Sequence, residues 1–220
     1  MKKITAIEVQ KNNPKRVNIY LDGEFAFGLA IFVAAWLTVG QVLDEAKVAS
    51  LQAQDQGEKA YQQAMLFLSY RARSEAEIRK NLEKHEIPQT VIDETIERLR
   101  HDRLVDDGQF AQNWVANRSE FRPRSRRALA VELKQKGLTE AAIQSATEAV
   151  DEEALAYAAA QKRVRRLEGL EWIEFRKKLS EFLARRGFGY EVIAPTVKRL
   201  WAERADDKNY FNNEEIPWKR

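Results

Sequence analysis

The chain contains no cysteine. Disulfide staples, thiolate zinc sites and cysteine nucleophiles are thereby excluded, and the composition suits a reducing compartment. Histidine is nearly as scarce. His85 and His101 are the only two; they share no i,i+4 pairing and no H-E-x-x-H pattern, so each reads as a surface or helix-end residue. No G-x-x-x-x-G-K-[ST] loop and no G-x-S-x-G elbow occurs, and Gly187-Phe188-Gly189 is too short to cradle a phosphate and reads as a helix–helix turn. Long apolar runs are missing too. The longest uncharged stretch, residues 25–43 (FAFGLAIFVAAWLTVGQVL), contains Gly28, Thr38, Gly40 and Gln41, and its apolar part covers about 15 residues against the roughly 20 needed to cross lipid. It reads as a buried strand followed by a short buried helix. The opening MKKITAIEVQ has lysines but no apolar segment behind them, and is not read as a signal peptide. These absences leave little support for catalysis. The expectation is a non-enzymatic, cytoplasmic protein that needs no cofactor or metal and does not enter a membrane.

What is present is charge, and apolar residues at helical spacing. The hydrophobic fraction of 44% supports a real core, and 32% of residues are charged. The 37 basic residues are nearly matched by 34 acidic ones, for a net charge of +3. The chain as a whole is no polycation, so any electrostatic function must come from local clustering.

The first fifty residues differ from the rest. ITAIEVQ has strand composition, and Asn12, Asn13 and Pro14 favour a turn after it. RVNIYL and EFAFGL then flank Asp22-Gly23, the pair that suits a two-residue hairpin because both positions tolerate positive φ. Three short antiparallel strands are predicted, followed by a helix over residues 31–37 that Gly40 ends. A sheet this small needs a helix packed on it.

Beyond about residue 57 the sequence repeats itself. Ile78, Leu82, Ile87, Ile92 and Leu99 have counterparts 51 positions on at Leu129, Leu133, Leu138, Ile143 and Val150. A further 50 positions on stand Leu179, Leu183, Phe188, Ile193 and Leu200. All fifteen are apolar. Punctuation repeats with them. Ser74 and Ser125 stand where N-caps belong, and Glu77 completes a capping box with Ser74. Gly137 and Gly187 follow the middle helix of their units as C′ glycines do, whereas the first unit has Glu86 there. Pro88 and Thr139 open the third helix, as first-turn and N-cap residues. The predicted organisation is a β-rich extension with a short helix (1–56), three three-helix repeats (57–106, 107–150 and 151–205) and a polar tail (206–220). The fold class is mainly α. Stacked repeats share faces, which predicts an elongated, curved array with a long surface for an extended partner; the alternative is a plain helical bundle.

Asp106-Asp107 reads as a helix start and not as a metal or acid–base pair, because adjacent residues do not face each other on a helix. Basic residues cluster in the last two repeats. From Arg118 to Lys136 seven basic residues face two acidic ones, and from Lys162 to Arg186 nine face four, leaving +5 in each segment. Candidate polyanion contacts in the second repeat are Arg118, Arg122, Arg124, Arg126, Arg127 and Lys134. In the third they are Lys162, Arg163, Arg165, Arg166, Lys177 and Arg185. Arg127 and Lys134 lie seven apart, on the helix side away from Leu129 and Leu133. The alternative is a solvated face with internal ion pairs. Arginine's planar fork suits phosphate and carboxylate alike, so a DNA backbone and an acidic protein surface are both open as targets. No base-reading module is visible. Tyr70, Trp114, Trp172 and Trp201 read mostly as core residues; Phe121, between Arg118 and Arg122, is a candidate for stacking on a base, and Trp218 in the tail is a candidate docking residue.

Leu104-Val105-Asp106-Asp107-Gly108-Gln109-Phe110-Ala111, then Arg118 and ALAVELKQKGL at 128–138, resemble the signature of the RecX family of recombination regulators, an L-x-D-D-x-x-F-A element followed by eL-x-x-K-G-[ILV]. LSYRARSEAEIRKNL at 68–82 resembles that family's opening repeat, and DGEFAFG the extension carried by some members. The resemblance spans residues 1 to about 203. One departure is Ser125, where many members carry glycine. The resemblance implies a non-enzymatic protein of DNA repair and the SOS response, and a monomer is expected. It would bind the RecA recombinase and the RecA–single-stranded DNA filament, restrain them, and also contact single-stranded or duplex DNA directly. The alternative is a free-standing nucleic-acid-binding helical repeat that acts without a recombinase.

Overall fold

Asp22 and Gly23 both take positive φ, 51° and 91°, and form the two-residue turn between β2 (Asn13–Leu21) and β3 (Glu24–Ala30). The computed structural model describes the backbone of residues 1–213 and the side-chain surroundings of residues 1–204; Trp218 lies outside the described residues. β1 (Lys2–Gln10) pairs antiparallel with β2, placing Ile7 opposite Ile19 and Val9 opposite Val17. Val17, Ile19 and Leu21 alternate inward along β2, as a half-buried strand requires. The sheet has four strands, not three. β4 (Val42–Leu43) pairs with Lys2 and Lys3 on the free side of β1, giving the order β3-β2-β1-β4. Gly40, at φ 98°, turns the chain back so that its N–H donates to Ile4 O at 2.8 Å. A strand of two residues has no alternation to read, which is why it left no sequence signal.

α1 is shorter and wetter than expected. It covers Ile31–Ala34 only, without a side-chain cap. Ile31 and Phe32 are exposed and Trp36 is 89% exposed; Ala34 and Leu37 are the residues of this stretch that reach the core fully. The apolar run therefore does not mark a buried helix. The helix that covers the sheet is α2 (Glu45–Ser69), capped by Asp44, whose carboxylate accepts from Lys47 N at 2.7 Å. α2 runs through the repeat boundary expected at residue 57. Its Leu51 packs with the sheet, while Ala60 and Ala64 pack with the first repeat.

The chain divides into two units, Met1–Asp106 and Asp107–Arg220. The first holds the sheet and repeat 1, whose helices are α2, α3 (Glu75–Lys84) and α4 (Gln89–His101). The second holds α5 (Asp107–Phe121), α6 (Arg126–Gln135) and α7 (Glu140–Thr147) of repeat 2. Repeat 3 follows with α8 (Glu152–Val164), a 3-10 turn (Arg165–Leu167), α9 (Trp172–Ala184) and α10 (Tyr190–Asn213). Thirteen of the fifteen repeated apolar positions are buried; Ile87 and Val150 are half-buried and pack against the cores of their repeats. Ser74 forms the full capping box with Glu77, and Ser125 and Thr139 accept from the third N–H of α6 and α7. Pro88 is the N-cap of α4, one position before the first-turn place expected of it.

Glycine's freedom explains one difference between the repeats. Gly137 and Gly187 take φ of 81° and 90° where α6 and α9 end. Glu86 takes φ 58° at the same place in repeat 1. A side chain in the left-handed region costs about 1–2 kcal/mol. Glu86→Gly is therefore expected to raise the stability of the first unit by about 1 kcal/mol, less the extra entropy of glycine in the unfolded chain. Chemical denaturation followed by circular dichroism measures it, and a decrease in stability would remove the strain argument.

Candidate functional site

His85 caps α3 and lies 2.9 Å from Gln63 Nε2, and His101 ends α4 beside Asp102; both are exposed. Asp106 immediately precedes α5 and Asp107 is its first residue, the place where a carboxylate favours a helix start. Among the described residues no group of three or more His, Asp or Glu side chains is placed to hold a metal ion.

Repeat 1 pairs four of its arginines internally. Arg71 pairs with Glu77 at 2.8 Å, Arg98 with Glu58 at 3.1 Å, Arg79 with Asp93, and Arg100 with Glu75 and Glu97. Repeats 2 and 3 behave differently, and the twelve candidate residues fall into two groups there. Five make internal contacts. Glu132 on α6 gathers Arg118 Nε at 2.8 Å and Arg124 Nε at 3.0 Å, and also accepts from Trp114 Nε1 at 2.8 Å. Arg118 lies over the Trp114 ring, 4.4 Å from its centroid. Arg126 donates through Nη2 to Val150 O at 2.8 Å, while its backbone N–H donates to Glu152 Oε1 at 2.7 Å. Lys162 Nζ donates to Glu120 O at 2.7 Å, and Arg163 lies over the Phe182 ring. The alternative of internal pairing thus holds for part of the cluster. The other seven, Arg122, Arg127, Lys134, Arg165, Arg166, Lys177 and Arg185, are exposed. Their side chains have no hydrogen bond or ion pair among the described residues. Arg127 and Lys134 do share the solvent side of α6, as their spacing predicts, although Glu140 and Glu152 border the depression that Arg127 lines.

One basic residue of the same cluster is absent from the twelve. Arg186 follows the C-cap of α9 and donates from Nη1 to Pro123 O at 2.8 Å, reaching from repeat 3 into the α5–α6 link. Its guanidinium stacks on Phe182, 4.6 Å from the ring centroid. Burial, and then the neighbouring charges of Arg124 and Arg122, hold its proton affinity below the ordinary arginine value. The repeat register points to it: His85, Lys136 and Arg186 occupy one equivalent position, just before the residue with positive φ. Lys136 there lies over Trp114 as Arg186 lies over Phe182.

The aromatic expectations divide as well. Trp114 stacks on Phe110, and Trp172 and Trp201 pack into the repeat 3 core around Phe175. Tyr70 is not a core residue; it caps the end of α2 with its ring in solvent, because the chain turns away there toward α3. Phe121, the last residue of α5, is 63% exposed.

Comparison with known proteins agrees in every segment. Residues 2–44 match the family described as the regulatory protein RecX N-terminal domain. Residues 60–99, 106–146 and 151–195 match the first, second and third RecX three-helix domains. A protein named regulatory protein RecX from Bacillus pumilus is 34% identical over 210 residues, covering 93% of this chain and 80% of its own. One of the same name from Bacillus cytotoxicus is 32% identical over 214 residues, covering 93% and 79%. A crystal structure of regulatory protein RecX superposes with a TM-score of 0.70 at 30% identity, covering 90% of this chain and all of the other. RecX from Lactobacillus salivarius shares the fold, with a TM-score of 0.59 at 22% identity over 67% of this chain and 97% of its own.

Proposed function

Because the chain belongs to the RecX family of regulatory proteins, we propose that it regulates a RecA recombinase by binding the RecA–single-stranded DNA filament and restraining it. It acts by occupancy and not by catalysis, which accords with relatives named as regulatory proteins. One observation carries the reading. Repeat 1 pairs Arg71, Arg79, Arg98 and Arg100 with its own carboxylates and leaves Lys80, Lys84 and Arg103 exposed without a partner among the described residues, whereas seven of the candidate cations of repeats 2 and 3 face solvent in that way. Cations held on ordered helices but left unpaired can serve an external polyanion without first breaking an internal bond.

The residues to test are those whose loss leaves the fold alone. Arg126 is unsuitable, since it bonds Val150 and sits beside Glu152. Arg127→Glu, Lys134→Glu and Lys177→Glu together reverse three exposed charges. The triple variant is expected to need about tenfold more protein for half-inhibition of RecA ATPase on single-stranded DNA, with its melting temperature unchanged. Unaltered inhibition would remove these side chains from the interface.

A second reading is favoured by the predominance of arginine, whose fork fits phosphate as well as carboxylate: a nucleic-acid-binding repeat protein that needs no recombinase. Affinity for bare and for RecA-coated single strand at physiological salt separates the two. Preference for the coated strand supports the filament reading, and equal or tighter binding of bare strand supports the second.

A further inference from the structure

Within the second unit, a half-open pocket of about 170 Å³ lies between the end of α5 with its link to α6, α8 with the 3-10 turn, and the end of α9. Lys162, Arg163, Arg166 and Arg186 line it together with Phe121 and Phe182, and among the described residues no acidic one does. Four cations in one concavity repel one another, and the contacts that hold them do not neutralise them. Arg186 is fixed by a carbonyl and a ring, Lys162 by a carbonyl, and Arg163 by a ring. Arg163 Nε is buried with no hydrogen-bond partner among the described residues. A buried donor left unpaired is costly, and an anion in the pocket would relieve the mutual repulsion of the four cations.

The rim says which anion. Phe121 stands there 63% exposed, and its ring meets no other ring or cation among the described residues. A carboxylate side chain would make no use of such a ring. A nucleotide would use both parts, placing phosphate oxygens on planar guanidiniums and a base on the aromatic face. A duplex keeps its bases stacked inside and cannot offer one. We infer that this cavity takes one backbone phosphate of a single-stranded nucleic acid, with the adjoining base stacked on Phe121. The inference deepens the filament reading, because a single strand lies within that filament, but it is tested separately from it.

Binding of a short fluorescein-labelled oligothymidylate to the full chain is measured by anisotropy across a salt series. Arg166 has no hydrogen bond or ion pair to lose among the described residues, so Arg166→Gln is expected to fold normally and to lower the slope of log affinity against log salt by about 0.7, one phosphate contact on a single strand. Phe121→Ala is expected to weaken binding by about fivefold to a hundredfold at fixed salt, with Phe121→Trp restoring it. If Phe121→Ala binds as the parent does, the inference is overturned, and the filament reading still stands wherever the Arg127, Lys134 and Lys177 reversals relieve RecA inhibition. If oligoglutamate displaces the oligonucleotide from the parent but not from Arg166→Gln, and Phe121→Ala has no effect, the ligand is an acidic protein segment and the inference is likewise overturned.

Discussion

Replacing Asp55 by alanine should cost the first unit about 3–5 kcal/mol, the range for removing one partner of a buried ion pair. Asp55 lies on α2 and is 3% exposed. Its carboxylate accepts from Ala30 N at 2.7 Å, from Arg16 Nη1 and Nη2 at 3.1 and 2.9 Å, and from Lys59 Nζ at 2.8 Å. Arg16 in turn donates to Gly28 O at 3.0 Å. One side chain thus ties α2 to both β2 and β3. Alanine leaves Arg16, mostly buried, without its counter-charge, and the Ala30 N–H without an acceptor. For a unit of this size the loss corresponds to a fall in melting temperature of roughly 10–30 °C. Hydrogen exchange locates it: amides of β2, β3 and the first half of α2 should lose protection while α5 to α10 keep theirs. A denaturation midpoint equal to that of the parent would show that the buried charge is dispensable.

The same carboxylate makes the unit acid-sensitive. Burial pushes the Asp55 carboxyl up, but hydrogen bonds from Arg16, Lys59 and Ala30, with the Arg16 charge, outweigh it and hold the carboxyl below its ordinary value. A group whose affinity for protons is lower when folded than when unfolded stabilises the fold above its unfolded pKa, about 4, and loses that contribution as pH falls through the folded value. The stability of the first unit should therefore decline below about pH 4, and Asp55→Asn should flatten that decline by removing the titrating group.

This network also shows where sequence reading stops. The Asp22-Gly23 hairpin, the fifteen repeated apolar positions and the serine caps were legible because each depends on residues close in sequence or on a strict period. Asp55 was not, since its partners Arg16 and Ala30 lie 39 and 25 residues away. The exposure of Phe32 and Trp36 was hidden for a similar reason: hydropathy reports what a residue would gain from burial, not whether a helix is there to cover it. The basic clusters were legible as counts of charge. Their division was not, because Glu132 gathers Arg118 and Arg124 across α5, the link and α6, and Arg186 reaches Pro123 over 63 residues.

Gly187→Ala is the second change with a large expected effect, about 3–6 kcal/mol lost from the second unit. Gly187 takes φ 90° after α9, so any side chain there costs about 1–2 kcal/mol by itself. A Cβ would also stand 2.6 Å from Ser125 Oγ and 2.9 Å from Ala128 Cβ, at the start of α6 in the neighbouring repeat. Neither neighbour yields easily. Ser125 is buried, caps Ala128 N at 3.1 Å, and donates its own N–H to Arg186 O at 3.1 Å. Displacing it sacrifices the cap, about 1 kcal/mol, and adds the strain of overpacking, about 1–3 kcal/mol. Gly23 supplies the control: its φ is 91° and a Cβ there meets nothing within 4 Å, so Gly23→Ala should cost the backbone term alone. The contact with Ser125 is isolated by a double-mutant cycle. Ser125→Gly removes the Oγ that the new methyl strikes, and costs little alone because glycine caps nearly as well as serine. The double variant Ser125→Gly, Gly187→Ala should be more stable than Gly187→Ala, with recovery limited by Ala128. Strict additivity of the two single changes would mean that repeats 2 and 3 do not meet through this pair.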